Sequence, residues 1–258
     1  MSLDSVRDRW IGFLDKLEGR LTELLSQSAV ALPQMLDLAG FDPLPFGNAV
    51  TGVVTQSRDI VFRIETTWCE QVEPAFEQAL GDDGAAAIEA ERQRGVVRQI
   101  AMERTLRTAE VSIQAEGAKR MLAEARKVLA SRFVCSRCNA PLPVRPQFFR
   151  AYHVACEYCQ SVNTFEPGMI ARNVEHFCAH ALAEEAALGD WFRHEDAERA
   201  DRNSDESGGT ARRIHRVKLY TAFVETYLQA KIDLVPEYAG TRDQDRDAKI
   251  KFYIQSIP

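Results

Sequence analysis

Two pairs of cysteines near the middle of the chain constrain this sequence more than any other feature. Cys135 pairs with Cys138 and Cys156 with Cys159, and seventeen residues separate the two pairs. Each Cys-x-x-Cys places two thiols on one tight turn, and two such turns can surround a metal ion with a tetrahedron of sulphur ligands. A gap of about 15 to 20 residues between the pairs is typical of zinc sites. The sequence therefore predicts one Zn²⁺ bound by these four cysteines.

The same residues indicate a structural role for the metal. Four thiolates fill the coordination sphere of Zn²⁺ and leave no position for water or a substrate. Two alternatives remain open. In the first, a cysteine pair serves in redox chemistry, which would normally need that pair at the start of a helix. In the second, His153 replaces one of the cysteines as a metal ligand. We expect His153 to pack on the surface of the module instead.

Short strands are predicted around the cysteines. Apolar and aromatic runs lie at 142–144, 148–150, 151–154 and 162–165, and such residues favour strands. Ser136 and Asn139 are small polar residues that suit the turns around cysteine ligands. Residues 133–166 are therefore similar to the zinc-ribbon class. This resemblance implies a small antiparallel β module and leaves the biological role open, because ribbons occur in proteins of many functions.

Residues 1–132 have the pattern of a helical bundle. Apolar residues recur every three or four positions from Val6 to Leu25, which predicts an amphipathic first helix that fades near 26–28. A connection is expected at 40–45, because that segment contains a glycine and two prolines.

Two further helices are expected before the cysteines. The second runs from Phe46 to about Leu80 with a kink at Pro74, and a polar turn follows at 81–84. The third covers 85–132, which contains no proline and many strong helix formers.

The third helix is expected to need partners along its length. At about 1.5 Å per residue it would reach roughly 70 Å, more than one compact domain covers. Its large apolar residues thin out between Ile113 and Met121, around Gly117. We expect that interval to be solvated or to touch another chain.

The chain returns to helices after the ribbon. Residues 167–258 are predicted to form helices that pack back on the bundle, with a flexible loop near 201–210, where the sequence is polar and rich in glycine. The predicted fold class is mainly α, a long-helix bundle with an inserted four-cysteine zinc ribbon.

The net charge and the hydropathy of the chain indicate its cellular location and the class of partner that it binds. The formal net charge is −6, which argues against wholesale nucleic-acid binding. The apolar runs are too short for a transmembrane helix and the N-terminus does not resemble a secretory signal, so we expect a cytoplasmic protein. Basic and aromatic residues of the ribbon nevertheless keep nucleic-acid contact open as an alternative. They are Arg132, Arg137, Arg145, Arg150, Phe148, Phe149, Tyr152 and Tyr158.

Histidines and the remaining cysteines provide further candidates. His176 and His180 are four residues apart on a predicted helix, and Glu184 continues that face, so a second metal site of a metalloenzyme is an alternative. Cys69 and Cys178 are expected to be buried thiols, because they lie in helical patterns.

The layout also resembles the DksA-type regulators of RNA polymerase. The shared arrangement is a helix, an acidic turn with Asp82 and Asp83, a long returning helix and a four-cysteine finger. This resemblance implies an RNA-polymerase-associated regulator as an alternative.

The sequence has no glycine-rich phosphate loop or nucleophile elbow. We predict a non-enzymatic adaptor or scaffold that binds protein partners or a second copy of itself.

Overall fold

The computed structural model of the protein describes residues 2–202 and 209–256. Within these residues the chain is mainly α-helical with one two-stranded antiparallel sheet, so the predicted mainly α fold is confirmed. The chain divides into two compact units: a first unit of residues 1–39 and 44–113, and a second unit of residues 40–43 and 114–258. None of the described helices is both long and apolar enough to cross a lipid bilayer.

Helix α1 spans Leu3–Leu38 and is longer than the sequence pattern predicts. The expected end near 26–28 is wrong, because the hydroxyl of Ser28 donates to the Leu24 carbonyl at 2.7 Å. This bond satisfies a polar side chain on the buried face. The buried stripe then continues in register through Leu32 and Leu36.

Helix α2 spans Pro43–Thr67, and its two prolines lie in its first turn. Backbone N–H groups in the first turn have no intrahelical acceptor, so proline is tolerated there. The predicted connection at 40–45 is therefore shorter than expected. In it, Gly40 and Phe41 both adopt positive φ angles.

The predicted kink at Pro74 corresponds to a π-helical turn. This turn covers Trp68–Val72 and precedes α3, Glu73–Leu80, in which Pro74 again lies in the first turn. A 3₁₀ turn at Gly81–Gly84 leads into α4, Ala85–Leu129. The long third helix of the sequence pattern is confirmed as α4.

One face of α4 between Ile113 and Met121 is buried, which corrects the expectation of a solvated segment. Ala115, Gly117 and Ala118 are all buried. The small residues here therefore lie on the buried face of the helix and do not indicate exposure.

The second unit contains the strands and the C-terminal helices. Its elements are β1 (Tyr152–Ala155), β2 (Val162–Phe165), α5 (Gly168–Asn173), a π-helical turn (Val174–Cys178), α6 (Ala179–Arg202), α7 (Gly209–Leu234), a 3₁₀ turn (Pro236–Thr241) and α8 (Arg242–Ser256). Of the segment near 201–210 that is expected to form a loop, residues 201–202 and 209–210 are helical. Residues 203–208 lie outside the described residues.

Trp10 is at the centre of the first unit. Its ring lies 5.5 Å from that of Trp68, and its indole N–H donates to the Glu91 carbonyl at 3.3 Å. A Cβ atom placed on Gly95 would lie 2.7 Å from the Trp10 ring. Gly95 is therefore the residue that allows α4 to approach the tryptophan of α1.

Replacing Gly95 by alanine should lower the free energy of unfolding by about 1 to 3 kcal/mol, because the added methyl group would displace a buried ring. The matched change Gly52→Ala, at an exposed helical position with no atom within 4 Å of the new Cβ, should raise it by about 0.5 to 1 kcal/mol. Chemical denaturation measures both. Equal stabilisation by the two variants would contradict the contact.

His194 is buried in an aromatic cluster of the second unit. Its ring lies 5.3 Å from Tyr220 of α7 and 4.9 Å from Tyr253 of α8. Burial lowers the pKa of His194 below its ordinary value of 6.5; the Glu198 carboxylate opposes this effect and Arg216 adds to it. His194 is therefore neutral in the folded protein at neutral pH.

Because the folded chain accepts this proton less readily than the unfolded chain, His194 should contribute stability above about pH 6.5 and lose that contribution as the pH falls. The variant His194→Phe should then lose less stability than the native chain between about pH 7.5 and 5.5. His215→Phe, at an exposed histidine of α7, is the control and should follow the native curve. Thermal unfolding across this range measures the difference, and parallel curves for all three proteins would refute the assignment.

Candidate metal centre

The first cysteine pair forms a tight turn shortly after α4. The N–H of Asn139 donates to the Cys135 carbonyl at 2.9 Å, and the Cys135 N–H donates to the Ala140 carbonyl at 2.8 Å. Asn139 has a φ of 60°, a left-handed conformation that asparagine adopts more readily than most residues. This turn places Cys138 on the same side as Cys135.

The second pair repeats the same turn. The N–H of Gln160 donates to the Cys156 carbonyl at 2.9 Å, and the Cys156 N–H donates to the Ser161 carbonyl at 2.9 Å. Gln160 also has a φ of 60°. We refer to the two turns, residues 135–140 and 156–161, as the first and second knuckle.

Antiparallel pairing holds both knuckles. Strand β1 ends directly before Cys156, and β2 begins directly after the second knuckle, with Tyr152 opposite Phe165 and Ala155 opposite Val162. A single bridge between Val134 and Pro141 flanks the first knuckle.

Two of the predicted strands are wrong. Residues 142–144 and 148–150 are not extended strands in the structure. Pro141, Pro143 and Pro146 cannot donate backbone hydrogen bonds, which prevents a continuous ladder there. The predictions at 151–154 and 162–165 are confirmed as β1 and β2, with β1 shifted by one residue.

The knuckles bring the four predicted ligands together. The Sγ atoms of Cys135 and Cys159 lie 3.6 Å apart, as do those of Cys138 and Cys156, and all four lie within 4.8 Å of one another. Sulphur atoms at about 2.3 Å from a tetrahedral metal are about 3.8 Å apart. The four cysteines therefore fit a metal ion, and they can hold one.

Asn163 of β2 connects the two knuckles. Its side chain is 6% exposed, and its Oδ1 accepts from both the N–H and the hydroxyl of Ser136, at 2.9 and 3.0 Å. Its Nδ2 donates to the Ser161 carbonyl at 3.0 Å and faces the Cys135 sulphur at 3.6 Å. The sequence pattern did not single this residue out. The available signal was an asparagine in a strand whose alternate positions are buried.

Ser161 favours the ionised state of two of the thiols. Its hydroxyl lies 3.1 Å from the sulphurs of Cys135 and Cys159. Hydrogen bonds from this hydroxyl and from the backbone of Arg137 and Cys138 lower the pKa of Cys135 to about 5. The hydroxyl and the backbone N–H of Ser161 also lower the pKa of Cys159. The backbone N–H of Ala140 favours the Cys138 thiolate, but desolvation and the neighbouring sulphurs together raise the pKa of Cys138 to about 12. Bringing four negative charges this close requires a cation.

The other candidate residues lie away from this cluster. His153 is exposed on β1, where its Nδ1 is 3.0 Å from the Thr164 hydroxyl. Cys178 is buried as predicted, and desolvation raises its pKa to about 12. The prediction for Cys69 is wrong, because this thiol is exposed and lies 3.6 Å from the Glu65 carboxylate.

The two candidate histidines have different surroundings. His176 lies in the π-helical turn, whose wider winding interrupts the α-helical spacing to His180. His180 contacts the Tyr227 hydroxyl at 2.7 Å, and Glu184 lies 3.7 Å away. In the described part of the chain, the four cysteines are the one group of three or more possible metal ligands that lie together. A second metal at His176 and His180 stays a prediction.

No family model matches the sequence, no curated protein is similar to it, and no solved structure matches its fold. The likeness of residues 133–166 to zinc ribbons therefore depends on the geometry of the two knuckles.

The geometry predicts one metal ion per chain. Cys135→Ser should abolish metal binding, whereas Cys69→Ser, at the exposed cysteine outside the cluster, should retain it. Asn163→Leu removes the connection between the knuckles and should weaken metal affinity about 10- to 100-fold. Competition with a chromophoric chelator measures each affinity. Equal affinity in the native chain and Cys135→Ser would contradict the site.

Proposed function

We propose that this chain is a non-enzymatic zinc-binding adaptor or scaffold protein. In this proposal one Zn²⁺ bound by Cys135, Cys138, Cys156 and Cys159 fixes the ribbon, and exposed side chains of the ribbon and helices contact protein partners. The observation that carries the proposal is the convergence of four sulphur atoms to within 4.8 Å of one another.

The donor set supports zinc in a structural role. Tetrahedral thiolate sites select Zn²⁺ or iron rather than harder cations such as Mg²⁺. With four protein ligands, zinc has no open position for a substrate or an activated water. The chemistry supplied by the ion is then the folding of the ribbon itself.

Exposed apolar side chains on the ribbon support a role in protein binding. Tyr158 lies within the second knuckle and is 77% exposed, and Val162 at the start of β2 is 68% exposed. An aromatic side chain on a rigid turn loses little entropy when it is buried by a partner. Such a side chain is a suitable anchor for an interface.

The alternative of nucleic-acid contact also has a specific observation in its favour. The guanidinium of Arg145 lies 4.9 Å from the ring centre of Tyr152 and 5.2 Å from that of Phe148. Arg150 is less suited to phosphate binding, because Glu175 holds it in an ion pair of 2.6 Å. Arg145 and the exposed Arg137 would carry this alternative.

Elemental analysis of the purified chain tests the metal. We expect one zinc per chain in the native protein and in Cys69→Ser, and none in Cys135→Ser. Iron, recognisable by its visible charge-transfer bands, or a folded native chain without metal would overturn the zinc assignment. A second equivalent lost in a His176→Ala, His180→Ala variant would instead favour the metalloenzyme.

Photo-crosslinking in the native host tests the partner. A crosslinking amino acid in place of Tyr158 should capture a protein, and one in place of Phe252 on α8, which is 73% exposed, serves as the control. Capture at 158 should be lost in Cys135→Ser, because the ribbon would unfold. Adducts that nuclease removes would favour the nucleic-acid alternative, and equal capture at both positions would refute the proposed interface.

A further inference from the structure

A groove of about 360 Å³ lies between α2 and α4 in the first unit. It is lined by Arg58, Val61, Phe62, Gln99, Glu103, Leu106, Arg107 and Glu110. Val61 and Leu106 are buried and form its floor. A partner that covers this apolar floor would release water from it, which is favourable.

Phe62 lies on the rim of this groove and is 67% exposed. Interface anchors are typically aromatic side chains that fill a pocket of the partner. Phe62 provides such a side chain and the groove provides such a pocket. Both are present on the same short stretch of α2, since the floor residue Val61 is the neighbour of Phe62 in the sequence.

The groove also carries one uncompensated charge of each sign. Arg58 on α2 is exposed and, among the side chains that the structure describes, has no ion-pair partner. On α4, Glu103 accepts a hydrogen bond from the neutral amide of Gln99 at 3.0 Å and, within the same residues, has no cationic partner. Glu110 differs, because Arg107 pairs with it at 3.0 Å.

These features are self-complementary. In a two-fold interface the same patch faces itself, so that residue i contacts residue j and j contacts i. Phe62 of one chain would enter the groove of the other, and Arg58 of each chain would face Glu103 of its partner. One contact would bury both aromatic rings and neutralise both pairs of charges.

We propose that this groove binds a second copy of the same chain in a two-fold symmetric dimer. Because a dimer is one form of the assembly that a scaffold performs, this inference rests on the proposed scaffold function. Its test is separate, because the groove contains none of the cysteines and can fail as an interface while the zinc site stands.

Sedimentation velocity over a range of protein concentrations tests the dimer. The native chain should dimerise, and Phe62→Asp should raise the dissociation constant about 30-fold or more, the size expected for loss of an interface anchor. Phe252→Asp changes an equally exposed phenylalanine outside the groove and should leave the constant unchanged. A monomeric native chain, or equal dissociation constants for all three proteins, would overturn the proposal.

Charge exchange tests the pairing itself. Arg58→Glu and Glu103→Arg should each weaken the dimer, because like charges would then face each other across the two-fold axis. The double variant should recover native affinity. An equimolar mixture of the two single variants should form a heterodimer, because each mutant residue then faces an opposite charge. Failure of both the double variant and the mixture to recover dimers would refute the Arg58–Glu103 contact.

Discussion

The approach of four sulphur atoms to within 4.8 Å is the interaction on which the ribbon depends. A segment of this size buries too little apolar surface to fold alone. One cluster of buried residues in this segment consists of Leu142 with two of the candidate ligands, Cys135 and Cys156. The candidate metal site is thus part of the small core of the ribbon, together with the buried rings of Phe149, Tyr152 and Phe165. Asn163 adds a second connection between the knuckles that does not involve sulphur.

The helices of the first unit depend on a different principle, the close approach of backbones around large rings. Gly95 gives Trp10 the space that it occupies. Glu91, which is buried, lies between Arg7 of α1 at 2.7 Å and Arg94 of α4 at 2.9 Å. A buried charge is costly unless it is paired and hydrogen-bonded, so this arrangement favours a single alignment of the two helices. The Trp10–Gly95 contact and the ion pairs of Glu91 therefore both align α1 with the same stretch of α4.

The sequence was most informative where spacing alone determines geometry. The four candidate metal ligands were predicted from the two Cys-x-x-Cys pairs, and the length of α4 was predicted from the absence of proline. The sequence prediction failed where a local hydrogen bond or a small side chain allows a segment without large apolar residues to be buried. The polar residues around Ser28 indicated the end of a helix, but the Ser28 hydroxyl donates to the Leu24 carbonyl within α1. The small residues near Gly117 indicated a solvated interval, but Ala115 and Ala118 are buried. Asn163 of β2 and Ser161 of the second knuckle both face the Cys135 sulphur of the first knuckle, a relation that no single-sequence pattern contains.

The three tryptophans are distributed unevenly. Trp10 and Trp68 are nearly inaccessible in the first unit, whereas Trp191 of α6 is half-buried, 5.5 Å from His194. Indoles shielded from water emit at shorter wavelengths than solvated ones, and an imidazolium ring quenches a neighbouring indole. Intrinsic fluorescence of this chain should therefore contain two separate signals, a blue-shifted one from the first unit and an acid-quenched one from the second. Unfolding of either unit should then be detectable without any attached dye.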